Sequence, residues 1–376
     1  MGCASLVMGR TLGGACHSLP AKRLGAAAGQ AAGGRAIERR EQHVHDSEVW
    51  SSPVLQSVVG VVERSRHVTT HIEAVEQVAS WMAYEEFTFP SGSMDAAFSD
   101  RSDPAEIIDV SFFYAVLNFA FSDFDTGVKF ATTYRGREWS DSEAMFACVN
   151  RALASGVPLL DGDFLAGIDR SDLAGVFSGN IEIPMLDERV EILNAAGRTL
   201  TERYGGAAHR FVADCAPAMY AAGDGLMERL VVEFPRFNDV STHDGHEVQL
   251  HKLAQLWLWQ LHMSLAASGA FAVADLDRMT AFADYIVPVA MRLMGITSYA
   301  PALEAAINRG DHIPRDSAEE VEIRAHTLYA TALLTDTINR IRPVSLALVV
   351  PQLDFRLWKS YHATFWPHHL TRTIMY

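Results

Sequence analysis

The chain has 376 residues, 49% hydrophobic and 20% charged, so it can bury a large core and is not a disordered polymer. Its net charge of −15 is unevenly spread: residues 1–40 carry a surplus of +5, which leaves −20 on the other 336. Such an acidic body argues against non-specific binding of long nucleic acid, and no run of eighteen uncharged apolar residues offers a membrane span.

Residues 1–50 read as a low-complexity leader or extension, because Leu24 to Arg35 is mostly Gly and Ala and cannot build a core. Being basic, Ala-rich and acid-poor, residues 1–37 fit an organellar transit peptide, a disordered extension or a misassigned start. Met1-Gly2-Cys3 invites a lipidation reading, which fails at Leu6. The four cysteines are too few and too scattered for a disulfide framework, so a reducing compartment, cytoplasmic or organellar, is the expectation.

Beyond residue 50 the apolar pattern has helical period. Ile72, Val75, Val78, Ala79 and Met82 form one stripe of a helix over 71–82, and the apolar stretch 107–121 suits a buried central element. Val128 to Tyr134 before Arg135-Gly136-Arg137 predicts a short strand and turn. Ser140-Asp141-Ser142-Glu143 supplies capping chemistry for a helix to Leu153. A helix from Leu186 follows Pro184 and stops at Gly205-Gly206, and the next runs from Pro217 to Phe234. Further helices are expected at 247–266, 273–294, 300–308, 318–341 and 352–366, the last bracketed by Pro351 and Pro367. The fold class is therefore all-α, mainly helical with few short strands, in a single domain over 51–376.

One acid stands out. Asp284 lies in the apolar run Met279 to Met291, where an unpaired charge costs several kcal/mol, so it needs a partner, a shifted pKa or a task. Pro288 clashes with the carbonyl four residues back, that of Asp284 itself, so the helix should kink or open there. The plainer reading is an Asp bonded to a neighbouring helix terminus. On the last helix Asp354, Trp358, Tyr361 and Phe365 share a face, either a core stripe or a pocket for a flat cationic ligand. The apolar tail 368–376 is expected to dock.

Fifteen histidines raise the question of metal. His246 and His251 are five apart, and on a helix that rotates one from the other by about 140°, so no metal is expected. No GxSxG elbow, GxGxxG turn or phosphate loop is present, and no cofactor is expected.

Ten segments fall in one order: Asn118-Phe119-Ala120-Phe121, Tyr134-Arg135-Gly136, Val149-Asn150-Arg151-Ala152-Leu153, Ile183 to Arg189, Phe234-Pro235 with Asp239, Lys252 with Ala254-Gln255, Phe282 to Tyr285, Glu320 to Arg324, Leu353-Asp354 with Leu357-Trp358, and Thr371 to Tyr376. In that order the chain resembles the queuosine salvage protein family over about residues 54–376. The resemblance implies a helical fold related to DNA glycosylases and hydrolysis of queuosine 5′-monophosphate to queuine and ribose 5-phosphate, with a small-molecule partner and neither nucleic acid nor membrane. By it Asp284 is the catalytic carboxylate, nucleophile or stabiliser of an oxocarbenium-like transition state. Phe282 and Tyr285 line the sugar–base pocket, with Asn118 also assigned to substrate. Asp354, with Phe355 and Trp358, holds the base and its amine. Lys252 is the candidate for the phosphate, supported by Arg372 or Arg324. The chain departs from the family pattern at Ser122, Leu253, Gln260, Ile286 and Lys359. Two other classes stay open: a non-catalytic helical scaffold that tolerates Asp284→Asn, and a metal-dependent hydrolase.

Overall fold

Proline and glycine mark several helix boundaries in the computed structural model, which describes residues 47–87, 98, 100–362 and 364–376. Pro53, Pro104, Pro301 and Pro351 each sit in the first turn of a helix, where the missing N–H has no partner to lose. Gly205 and Gly310 end theirs with φ of 55° and 76°, a left-handed conformation that suits glycine. The described residues form 14 α-helices, and their strands make three antiparallel pairs of two. The chain is mainly helical, as the periodicity predicts.

The longest helix, Ala318–Asn339, is buried on nearly every face. Surrounded in this way it is the central helix, packing against Pro53–Arg64, Ile72–Met82, Val287–Leu293 and Val350–Tyr361, and its buried Glu320, Glu322, Arg324 and His326 need partners from those neighbours or from the loops. A second stack joins Pro104–Leu117 to Lys252–Leu265. There the fully buried Trp257 meets Phe112 edge-on at 5.2 Å and donates its indole N–H to Ser111 at 3.0 Å. These two stacks carry the candidate site.

Several expectations need correction. The helix over 273–294 is not continuous: a 3-10 turn at Leu276–Arg278 leads into irregular chain, and a helix begins only at Val287. Pro288 therefore occupies a first turn rather than a helix interior. The stretch from Pro217 is helical only over Leu226–Glu233, because a tight bend precedes it; a Cβ on Gly225 would lie 2.3 Å from the Met219 carbonyl. The helix over 247–266 starts at Lys252, since Val240–His243 and His246–Gln249 pair as a hairpin through Asp244-Gly245. Asp-Gly is the strongest short hairpin signal a sequence offers, and both residues have positive φ here. The last helix ends at Tyr361, so Phe365 leaves the aromatic stripe and is fully exposed. Ile72 is likewise exposed, while Val75, Val78, Ala79 and Met82 are buried. Asp141 begins its helix as expected, though no side-chain cap from Ser140 forms. Glu48–Ser51 is a 3-10 turn with Val49 and Trp50 buried. Residues 1–46 of the 1–50 leader, with the transit-peptide and lipidation readings, lie outside the described residues.

Candidate active site

Asp284 is 7% exposed and sits in the irregular segment just before the helix Val287–Leu293. Its Oδ1 accepts the backbone N–H groups of Ile286 at 2.8 Å and Val287 at 3.1 Å. These are donors that no helical carbonyl can reach, so the acid caps the helix that Pro288 helps to start. The bond to a helix terminus and the break at the acid are thus one feature. Oδ2 of the same carboxylate has no hydrogen-bond partner among the described residues.

Asp354 is 3% exposed on the helix Val350–Tyr361. Its Oδ2 accepts the backbone N–H of Phe282 at 2.9 Å, which ties this helix to the segment bearing Asp284. Burial, and then the nearby Asp284 carboxylate, push the Asp354 carboxyl well above the usual carboxylate range. The Phe282 N–H and Lys252 pull it back only in part.

Lys252 opens the helix Lys252–Leu265 and is 7% exposed. Its ammonium has no hydrogen-bond partner among the described residues, although Asp284 and Asp354 both act on it. Burial lowers its pKa, and the two acids oppose that shift. Two buried acids and one buried lysine therefore lie within one another's electrostatic field, and polar atoms of each have no hydrogen-bond partner among the described residues. A protein seldom buries charge in this way unless a ligand completes the arrangement.

Arg324 holds this site from behind. It is 1% exposed, donates from Nε to the Ala283 carbonyl at 3.1 Å, and grips both oxygens of Asp239. Burial alone would raise Asp239, but Arg324 wins and holds that carboxyl below its usual range. Asp239 in turn accepts the Lys252 backbone N–H at 3.4 Å, and its carbonyl accepts those of Leu250 and His251. One ion pair thus fixes the peptide before Asp284 and the turn before Lys252.

The 117–120 turn is held by Arg189, which is fully buried and donates to the carbonyls of Leu117, Phe119, Ala120 and Pro184. Asn118 is half-buried in that turn, and its side-chain amide has no partner among the described residues. Arg236 lies beneath, with Nε on the Val116 carbonyl at 2.8 Å and Nη1 on the Met375 sulfur at 3.7 Å. Its Nη2 is buried with no hydrogen-bond partner among the described residues, and burial pulls its pKa down to about 9.

Tyr285 is half-buried beside Asp284, its ring 4.7 Å from that of His368. Phe282 is buried, whereas Phe355 and Trp358 are half-buried on the helix that carries Asp354. Arg372 is more than half exposed, paired with Glu188 at 2.7 Å and lying over Phe124. The tail docks: Met375 and Tyr376 are buried, and the Tyr376 ring lies under the Arg324 guanidinium at 4.6 Å. Sequence reasoning missed Arg236, and it did not give Asp239, Glu320 or Tyr376 a role. Apart from the Glu320–Arg324 pair four residues apart, the contacts that give them a role here join residues 56 to 139 positions apart along the chain, beyond any local pattern. Among the described residues no three His, Cys, Asp or Glu side chains gather as metal ligands.

This architecture defines a mainly helical protein in which two carboxylates and a lysine are buried together as a candidate site. The chain belongs to the queuosine salvage protein family, whose model matches residues 98–376. It is 36% identical over 327 residues, 86% of this chain and 97% of the relative, to a protein of Sphaerobacter thermophilus named queuosine 5′-phosphate N-glycosylase/hydrolase. Proteins of the same name from Mus musculus and Schizosaccharomyces pombe are 26% and 28% identical. They align over 84% and 82% of this chain, and 92% and 90% of their own lengths.

Proposed function

We propose that this chain hydrolyses the N-glycosidic bond of queuosine 5′-monophosphate, releasing queuine and ribose 5-phosphate. The observation that carries the reading is the pair Asp284 and Asp354, two buried acids each bonded to backbone through one oxygen, with no hydrogen-bond partner for the other oxygen among the described residues. Family membership and the names of the relatives support the same reaction.

Cleavage breaks the bond between the ribose C1′ and the base nitrogen, and water supplies a hydroxyl to C1′ and a proton to the base. Positive charge builds on the sugar as the bond breaks. Asp284, oriented by Ile286 and Val287, meets that charge as nucleophile or as stabiliser. Phe282 and Tyr285 wall the sugar and base and help exclude water. Asp354 receives the cationic amine of the base, flanked by Phe355 and Trp358. Lys252 takes the 5′-phosphate, with Asn118 also at the substrate and Arg372 at most a peripheral support.

The partner is the free nucleotide rather than a polynucleotide, in keeping with the net charge of −15. No helix among the described residues is long and apolar enough to cross a membrane. Cys148 and Cys215 are buried free thiols, consistent with a reducing compartment, cytoplasmic or organellar.

The test is incubation of the protein with queuosine 5′-monophosphate and mass spectrometry of free queuine. Release by the wild type is expected. No release from this nucleotide, its nucleoside or related deazapurine nucleotides would return the chain to a non-catalytic binding role.

A further inference from the structure

The tail residue Tyr376 lies 92 positions from Asp284 in the sequence, yet a short run of bonds joins them. Tyr376 donates its hydroxyl to Glu320 Oε1 at 3.1 Å. The same Oε1 accepts from Arg324 Nη1 at 3.4 Å, a long bond, while that nitrogen also reaches Asp239 Oδ1 at 3.1 Å. Arg324 Nε then donates to the Ala283 carbonyl. That carbonyl belongs to the peptide whose nitrogen is Asp284's own, so turning it turns the acid. We propose that Tyr376 is a positioning residue for Asp284, acting through Glu320 and Arg324.

Arg324 has a fixed planar fork and three claimants for it: Asp239, Glu320 and the Ala283 carbonyl. Asp239 takes Nη1 and Nη2 while Glu320 shares Nη1, and the guanidinium settles where those pulls balance. Glu320 is fully buried, so an oxygen that loses a donor must find another. With the tyrosine hydroxyl in place, Glu320 Oε1 is satisfied from the tail and draws weakly on Arg324. Without it, the nearest available donor is Arg324 Nη1. The fork then turns toward Glu320, and because the fork is rigid, Nε turns away from Ala283. The irregular segment 279–286 has no helical ladder of its own, so losing this bond frees the peptide before the acid. His369 Nε2 also lies 3.2 Å from the Tyr376 hydroxyl, which keeps the ring seated but gives Glu320 nothing.

The inference rests on the proposed reaction for its rate consequence but not for its structural half. Tyr376→Phe removes one hydroxyl and keeps the ring over Arg324. It is expected to lower kcat for queuosine 5′-monophosphate about tenfold while KM moves less than about threefold. Adding Glu320→Gln replaces the competing carboxylate with a weaker acceptor, and the double variant is expected to recover kcat to within about threefold of the wild type. Amide hydrogen exchange, which needs no substrate, is expected to speed up at residues 282–287 in Tyr376→Phe and to return in the double variant. Unchanged exchange in Tyr376→Phe overturns the proposal whatever the activity, and so does faster exchange with unchanged kcat. A double variant no better than Tyr376→Phe also overturns it, because a tail that merely stabilises the fold gives no rescue. If the wild type releases no base while exchange behaves as described, the proposed reaction fails and the coupling of Tyr376 to the Asp284 segment stands.

Discussion

The Oδ2 atom of Asp354 accepts the backbone N–H of Phe282 at 2.9 Å, so the last long helix is anchored to the segment that holds the other acid. Asp284 meanwhile accepts two N–H groups from the chain just after it. Each acid is oriented by main chain and not by a cationic side chain, which leaves the charge of Lys252 available to a ligand. Burial and the field of Asp284 both disfavour charge on Asp354. Lys252 offsets part of this, and a ligand carrying both a cation and an anion would offset more.

The cap and the charge of Asp284 can be separated by choice of substitution. Asp284→Asn keeps an oxygen able to accept from Ile286 and Val287, so stability is expected to change by less than about 1 kcal/mol. Asp284→Ala loses the cap and is expected to cost about 1 kcal/mol or more. Both should lose at least about 10²-fold in queuine release, roughly 2.7 kcal/mol of transition-state stabilisation. Thermal unfolding beside the release assay checks the pair of outcomes. A fully active Asn variant would remove Asp284 from catalysis.

Asp354 should make the protein less stable as pH rises. Its folded pKa lies above the ordinary 3.8, so above that pH the folded chain holds a proton that the unfolded chain has lost. The penalty grows with pH until the folded pKa is passed. Asp354→Asn removes it, and its stability advantage over the wild type is expected to increase from about pH 4 upward. Binding an amine cation would expel the same proton. Calorimetry with queuine in buffers of different ionisation enthalpy should show proton release in the wild type and none in Asp354→Asn.

Much of this could be read from the residues, and the failures share one cause. Helical period gave the long elements, and Pro351 and Gly205 marked ends that the structure keeps. Asp284 was visible as an anomaly because charge in an apolar run is rare. The helix over 273–294 misled because apolar content cannot distinguish a buried helix from a buried irregular segment tied down by side chains. Here Asp354, Arg324 and Gln255 supply bonds to Phe282, Ala283 and Thr280 that a helix would have made internally. The Asp244-Gly245 turn carries a local hairpin signal, which the helical period of the residues after it masks. The Arg324 network was not legible, since its members come from four separated parts of the chain.

Acid should unfold the protein through its buried histidines. Burial pulls His326 down to about 4 and His369 down to about 3, so both are neutral in the folded state at pH values where an unfolded chain is protonated. The stability they contribute is complete above about 6.5 and falls as pH drops toward the folded values. Each contributes a slope of about 1.4 kcal/mol per pH unit within its window. Urea unfolding from neutral pH to about pH 4 is expected to show the decline, and His369→Gln should flatten it. A His369→Gln curve parallel to the wild type would assign the acid sensitivity elsewhere.

Lys252 and Arg372 should behave differently although both are basic residues assigned to the substrate. Lys252 is buried, without a hydrogen-bond partner for its ammonium among the described residues, and within the field of both acids. Arg372 is more than half exposed and already engaged by Glu188, and such surface pairs contribute little. Lys252→Met is therefore expected to raise KM for queuosine 5′-monophosphate by about tenfold or more, with the nucleoside queuosine affected less than about threefold, because only the nucleotide carries the phosphate. Arg372→Ala is expected to change either substrate by less than about threefold. Steady-state kinetics on both substrates with both variants decides the matter. Equal losses for nucleotide and nucleoside in Lys252→Met would move this lysine from the phosphate to the acids, where its task would be to moderate the charge of Asp284 and Asp354 rather than to hold the ligand.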